Sequence, residues 1–179
     1  MALMDYRIAL VATLIACGGG EKAAPPPDSA TTAAVTTAAA QDSGATAPRA
    51  PQPTLSAIDA TADSGFDRFV FEFAGEAPGY HVEYRDQTVR CGSGDSVSVQ
   101  GAARLVVRFE PARAHDDNGR PTLPAREGAL GLPALTEWKL ICDFEGQVEF
   151  LIGVTAMAPY RVTTQATPAG FILEVRHAP

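Results

Sequence analysis

Lysine is almost missing from this chain: beyond residue 22, Lys139 is the only one. The formal net charge is −7. Non-specific nucleic-acid binding depends on Lys and Arg displacing counterions from phosphates, so the composition excludes a nucleic-acid partner. No apolar run approaches the roughly 20 residues a helix needs to cross a bilayer. No His-Glu-x-x-His pair offers zinc spacing, and no Gly-x-Ser-x-Gly elbow offers a nucleophile. His81, His115 and His177 fall in separate predicted elements, with His81 and His177 read as strand-face residues. Neither a catalytic set, a metal site nor a cofactor is expected. After residue 59 no segment sustains helical periodicity, which argues against an α or α/β fold.

What is present begins with an address. Residues 8–16 form an apolar run that ends in Leu14-Ile15-Ala16-Cys17, followed by three glycines. The run suits the core of an export signal. Small residues before the cut fit a peptidase groove, and a thiol at the new N-terminus can accept lipid. The tetrapeptide resembles the bacterial lipobox, so residues 1–17 are expected to be a lipoprotein signal and Cys17 the lipidated residue. That implies a chain exported to the cell envelope and held at the membrane by its N-terminal lipid. More than one acyl chain is needed for stable anchoring, and a mature lipoprotein carries two or three.

Residues 18–58 are rich in Ala, Pro, Thr and Ser, and no aromatic residue occurs there. Such a stretch cannot bury enough apolar surface to offset its ordering entropy, so a disordered linker is expected. About 40 flexible residues span roughly 35 Å end to end.

From residue 59 to 179 the pattern changes to short alternating runs. Phe69, Phe71 and Phe73 alternate with Arg68, Val70 and Glu72. Similar period-2 runs are predicted at 80–85, 104–109, 135–144, 147–154, 160–164 and 171–177, with shorter candidates at 89–91 and 97–99. About eight short strands joined by turns predict an all-β domain, a small β-sandwich or barrel.

Three cysteines occur, Cys17, Cys91 and Cys142. With Cys17 lipidated, Cys91 and Cys142 remain as a pair. Outside the cytoplasm they can oxidise. Cys142 alternates in phase with Trp138 and Leu140, which predicts a buried bridge between sheets; two buried free thiols are the other reading. Residues 111–133 form a long loop in which Arg113, His115, Arg120 and Arg126 gather positive charge on an acidic domain. Arginine forks match carboxylates, so this loop is the expected ligand-binding surface, against the alternative of an ordinary solvated loop. His115-Asp116-Asp117-Asn118-Gly119 is read as a turn rather than a cation loop.

Several segments together resemble the AMIN-like domain of bacterial exported lipoproteins. They are the stretch from Gly65 through Phe73, Pro78-Gly79-Tyr80 with Val82-Glu83-Tyr84, the stretch from Pro111 to Asp116, Cys142-Asp143-Phe144-Glu145-Gly146, and the tail from Pro159 to His177. The related AMIN modules are non-catalytic β-sandwiches that accompany cell-wall amidases and secretins. The resemblance therefore implies a non-enzymatic module that binds peptidoglycan or localises to the envelope. Its partner would be the cell wall or, alternatively, another envelope protein contacted through a sheet surface in a scaffold or assembly role.

Overall fold

The computed structural model describes residues 51–178. The expected signal, Cys17 and most of the expected linker lie outside them. Nine strands, and no helix, occur among the described residues. They are β1 (Thr54–Asp63), β2 (Phe66–Ala74), β3 (Gly79–Tyr84), β4 (Ala103–Glu110), β5 (Glu127–Ala129), β6 (Leu135–Phe144), β7 (Gln147–Val154), β8 (Tyr160–Ala166) and β9 (Ala169–Arg176). They form two antiparallel sheets, β1-β2-β9-β8 and β3-β4-β7-β6-β5, packed as a sandwich. Strand β1 crosses the boundary expected at residue 59, so Thr54 to Ile58 belong to the folded domain.

The sandwich closes because alternate residues of both sheets are apolar. Phe69, Phe71 and Phe73 of β2 meet Phe109 of β4, Phe150 of β7 and Phe171 of β9. Phe71 lies edge-on to Phe109 at 4.9 Å and to Phe150 at 5.2 Å, and Phe171 stacks on Phe109 at 5.1 Å. Each such side chain contributes about 1.5–3 kcal/mol by leaving water, and each ring pair about 0.5–1.5 kcal/mol more. Asp67 shares this inward face of β2 and is fully buried. Its Oδ2 accepts from the backbone N–H of Ala134 at 2.6 Å and Leu135 at 2.8 Å, which ties one sheet to the start of β6.

The two outer faces differ. Residues 85–100 lie across the outside of the five-stranded sheet, where Val97 and Val99 cover Val106, Ile141 and Leu151 in a second small core. This is why β7 is buried on both faces. The expected short strands at 89–91 and 97–99 are instead part of this cover, joined by a single bridge between Val89 and Ser96. Close approach fixes Gly153 of β7: a Cβ there would collide with the Gln100 carbonyl and the Thr136 hydroxyl.

Cys91 and Cys142 are bonded, with Cα atoms 5.1 Å apart. The bridge does not join the two sheets as expected. The β6–β7 register shifts between Leu140 and Cys142, so Cys142 falls opposite Glu149 rather than in phase with Trp138 and Leu140. This bulge turns Cys142 to the outer face, and the disulfide staples the covering segment to β6. A backbone bond from Cys91 N–H to the Ile141 carbonyl (3.2 Å) and an ion pair between Arg85 and the buried Glu149 (3.1 Å) hold the same segment.

Candidate functional site

The arginine-bearing loop runs from Pro111 to Pro133, and its first residues are braced rather than free. Arg113 shares a short parallel bridge with Thr54, and its Nε donates to Thr54 Oγ1 at 2.8 Å. Its Nη1 pairs with Asp117 at 2.6 Å. His115 Nδ1 donates to Asp143 Oδ1 at 2.9 Å, and the same oxygen accepts the Ala114 N–H. Arg113 and His115 therefore hold the loop against β1 and β6.

The next four residues form an Asx-type turn. Asp116 Oδ1 accepts the N–H of Arg120 and of Asn118. These backbone bonds hold the Asp116 carboxyl below the usual carboxylate range. Arg120 and Arg126 are exposed and enter no ion pair among the described residues. Of the four expected contact residues, these two remain available to solution. No group of three or more His, Cys, Asp or Glu converges among the described residues to hold a metal ion.

A second region was not singled out as a site from the sequence. Strands β3 and β8 are edge strands of different sheets and face each other across the open side of the sandwich. Tyr84 of β3 reaches over to the carbonyl of Ala158 (2.8 Å), while Tyr160 of β8 reaches back to the carbonyl of Val82 (2.8 Å). The two rings meet edge-on at 5.8 Å. Burial pushes the Tyr84 phenol above its usual value of 10.0, so it stays a neutral donor, despite the bond to Ala158. Further along, Tyr80 rests on buried Phe171 at 4.9 Å and remains 47% exposed.

Three clefts converge on Pro78-Gly79-Tyr80. One lies between β3 and β8 and is lined by Tyr80, Thr164, Gln165 and Phe171; another is walled by Pro51, Pro53 and Pro111; the third by His81, Arg108 and Glu110. Gly79 is required here by close packing, since a Cβ would sit 2.8 Å from the Glu110 carbonyl oxygen. The sequence signal was the Pro-Gly-Tyr tripeptide itself. Its partners Thr164 and Phe171 lie more than 80 residues away in the chain, and only the sheet topology brings them together.

The profile of the AMIN-like domain family matches residues 53–177, almost the whole of the sandwich. The chain belongs to the AMIN-like domain family. No curated protein and no solved structure matches it. The AMIN-like match starts at Pro53, one residue before β1, and ends at His177, one residue after β9. All nine strands and both regions just described therefore belong to the AMIN-like module. Membership suggests an extracytoplasmic, peptidoglycan-related module of the envelope.

Proposed function

We propose that this chain is a lipid-anchored envelope protein whose AMIN-like module binds peptidoglycan without hydrolysing it. The observation that carries this reading is the family match across the entire sandwich. The family's non-catalytic character supports a binding role over an enzymatic one. The lipobox-like segment ending at Cys17 supports attachment to the membrane by lipid. The Ala- and Pro-rich residues that follow supply reach between membrane and wall. Arg120 and Arg126 are exposed cations suited to the carboxylates of wall peptides.

The test is retention of the full chain on isolated sacculi at low salt, followed by assay for released wall fragments. Retention without release is the expected result. A well-folded chain that is not retained refutes wall binding and leaves contact with another envelope protein through a sheet surface. Anchoring is tested separately with a fatty-acid probe, which should tag the wild type and not Cys17→Ser.

A further inference from the structure

Asn118 is the only asparagine in the chain, and a glycine follows it. Both residues are exposed, in the loop that carries Arg120. Asparagine is a thermolabile residue, because the backbone nitrogen of the next residue can attack its side-chain amide. Gly119 leaves that nitrogen unscreened. It has no side chain, and even a Cβ built on it would meet no atom within 4 Å. Its φ of 75° is one that glycine adopts freely, so the turn itself calls for a glycine here.

The pair is nevertheless held. Gly119 N–H donates to the Asp116 carbonyl at 3.0 Å, and Asn118 N–H donates to Asp116 Oδ1 at 2.8 Å. Asp116 and Arg120 close the turn from both ends. The Asp116 N–H donates to the Arg120 carbonyl at 2.8 Å, and the Arg120 N–H to Asp116 Oδ1 at 2.9 Å. Attack requires the Gly119 nitrogen to lose its proton and swing toward Asn118 Cγ, which breaks its bond to Asp116. The reaction therefore runs only from the opened turn. Exposed segments with few buried contacts open at small free-energy cost. Asp116 thus slows the reaction without forbidding it.

We propose that Asn118 is a self-modification site, converted to aspartate and isoaspartate at a rate set by the Asp116 turn, and that conversion weakens the wall contact made through Arg120. Solvent base removes the Gly119 N–H proton, and the nitrogen bonds to Asn118 Cγ. The C–N bond of the side-chain amide breaks, and ammonia leaves with a proton from water. Water then opens the cyclic imide at either carbonyl, with no oxidant or reductant. Both products put a carboxylate beside Asp116 and Asp117, two residues from Arg120. Isoaspartate also lengthens the backbone inside the ring that Asp116 and Arg120 close, which undoes the turn. The chemistry stands alone; its effect on binding rests on the wall-binding reading above.

The test follows the full chain in warm, mildly alkaline buffer by peptide mass spectrometry, natively folded and unfolded in urea. The unfolded chain should convert at Asn118, and the folded wild type about tenfold or more slowly, because the turn must open first. Folded Asp116→Ala should approach the unfolded rate, and Asn118→Gln should stay unconverted. Equal rates in folded and unfolded wild type, no conversion of the folded wild type, or a folded Asp116→Ala no faster than wild type overturns the proposal. Thermal melts identify a variant that fails to fold, and the comparison within wild type then decides. Aged wild type and fresh Asn118→Asp should each be retained on sacculi at least about twofold more weakly than fresh wild type at low salt, with the difference shrinking as salt rises. Undiminished retention of both overturns the effect on Arg120. Failure of fresh wild type to be retained removes wall binding itself, and the conversion is then judged on the mass spectra.

Discussion

His177 Nε2 donates to Oδ1 of the fully buried Asp67 at 2.8 Å, while the other oxygen of that carboxylate holds the backbone of Ala134 and Leu135. One side chain thus fastens the carboxyl-terminal tail, β2 and the start of β6. Asp67→Ala should lower the unfolding free energy by about 3 kcal/mol, because it strands two buried N–H donors. His177→Ala should cost about 1 kcal/mol, since the imidazole is partly exposed and both backbone bonds survive. The two losses should not add in the double variant. Urea unfolding of the three variants measures all of this.

The bridge between Cys91 and Cys142 closes a loop with a sequence separation of 51. In the chain-entropy account, losing it should cost about 4 kcal/mol. Because the bridge staples a cover to an outer face, the Phe core should still form. The paired Cys91→Ser and Cys142→Ser variant should therefore unfold at lower urea yet keep a cooperative transition. Thiol counting on the denatured, oxidised protein should find neither residue free.

Acid should attack the outer face of the four-stranded sheet. Glu174 is buried there, with hydrogen bonds from Arg161 and from Arg68 (3.2 Å). The Arg161 hydrogen bond, followed by that from Arg68, holds its carboxyl below the ordinary 4.5, against the opposing effect of burial. The folded state therefore binds its proton less readily than the unfolded chain. The stabilisation is complete above that ordinary value and is lost as pH falls through the lowered native value. Glu174→Gln should melt lower at neutral pH and show a flatter acid limb. An unchanged acid limb in a melting series against pH contradicts this.

Arginines of the long loop should separate into two kinds. Arg113→Ala removes the bond to Thr54 and the pair with Asp117. It should cost about 1–2 kcal/mol and loosen the entry to β1, visible as faster amide exchange at Leu55, whose N–H bonds to the Arg113 carbonyl. Arg120→Ala and Arg126→Ala should stay within about 0.5 kcal/mol of wild type. Any loss of sacculus retention in these two would then report on contact rather than folding.

The strands with one clean apolar face were legible in advance. β2, β4 and β9 alternate because one side of each meets the Phe core. β1 was hidden because it is an edge strand rich in Ala, Thr and Ser, with only Leu55 fully buried; by composition it continues the linker. β5 has three residues, too few for any period. The side taken by Cys142 depended on a bulge, and a single-residue slip reverses every later side chain of a strand. The cationic loop was visible as charge. That Asp117 and Asp143 claim two of its expected contact residues depends on the fold, above all for the contact between His115 and Asp143, 28 residues apart. The tyrosine edge was visible only as scattered residues, since its two halves belong to different sheets.

The register of β2 gives the domain a polarity. Its first residue, Phe66, pairs with Arg176 near the carboxyl end, and its last, Ala74, pairs with Thr54 where the chain enters. Entry and exit are therefore at opposite poles, about 30 Å apart along a nine-residue strand. Pro78 and Tyr80 lie at the entry pole, beside Pro51 and Pro53. A reporter or affinity handle appended after His177 would project from the far pole and leave the tyrosine cleft open. The same handle placed just ahead of Pro51 would stand at the entry pole, against the proline-walled cleft.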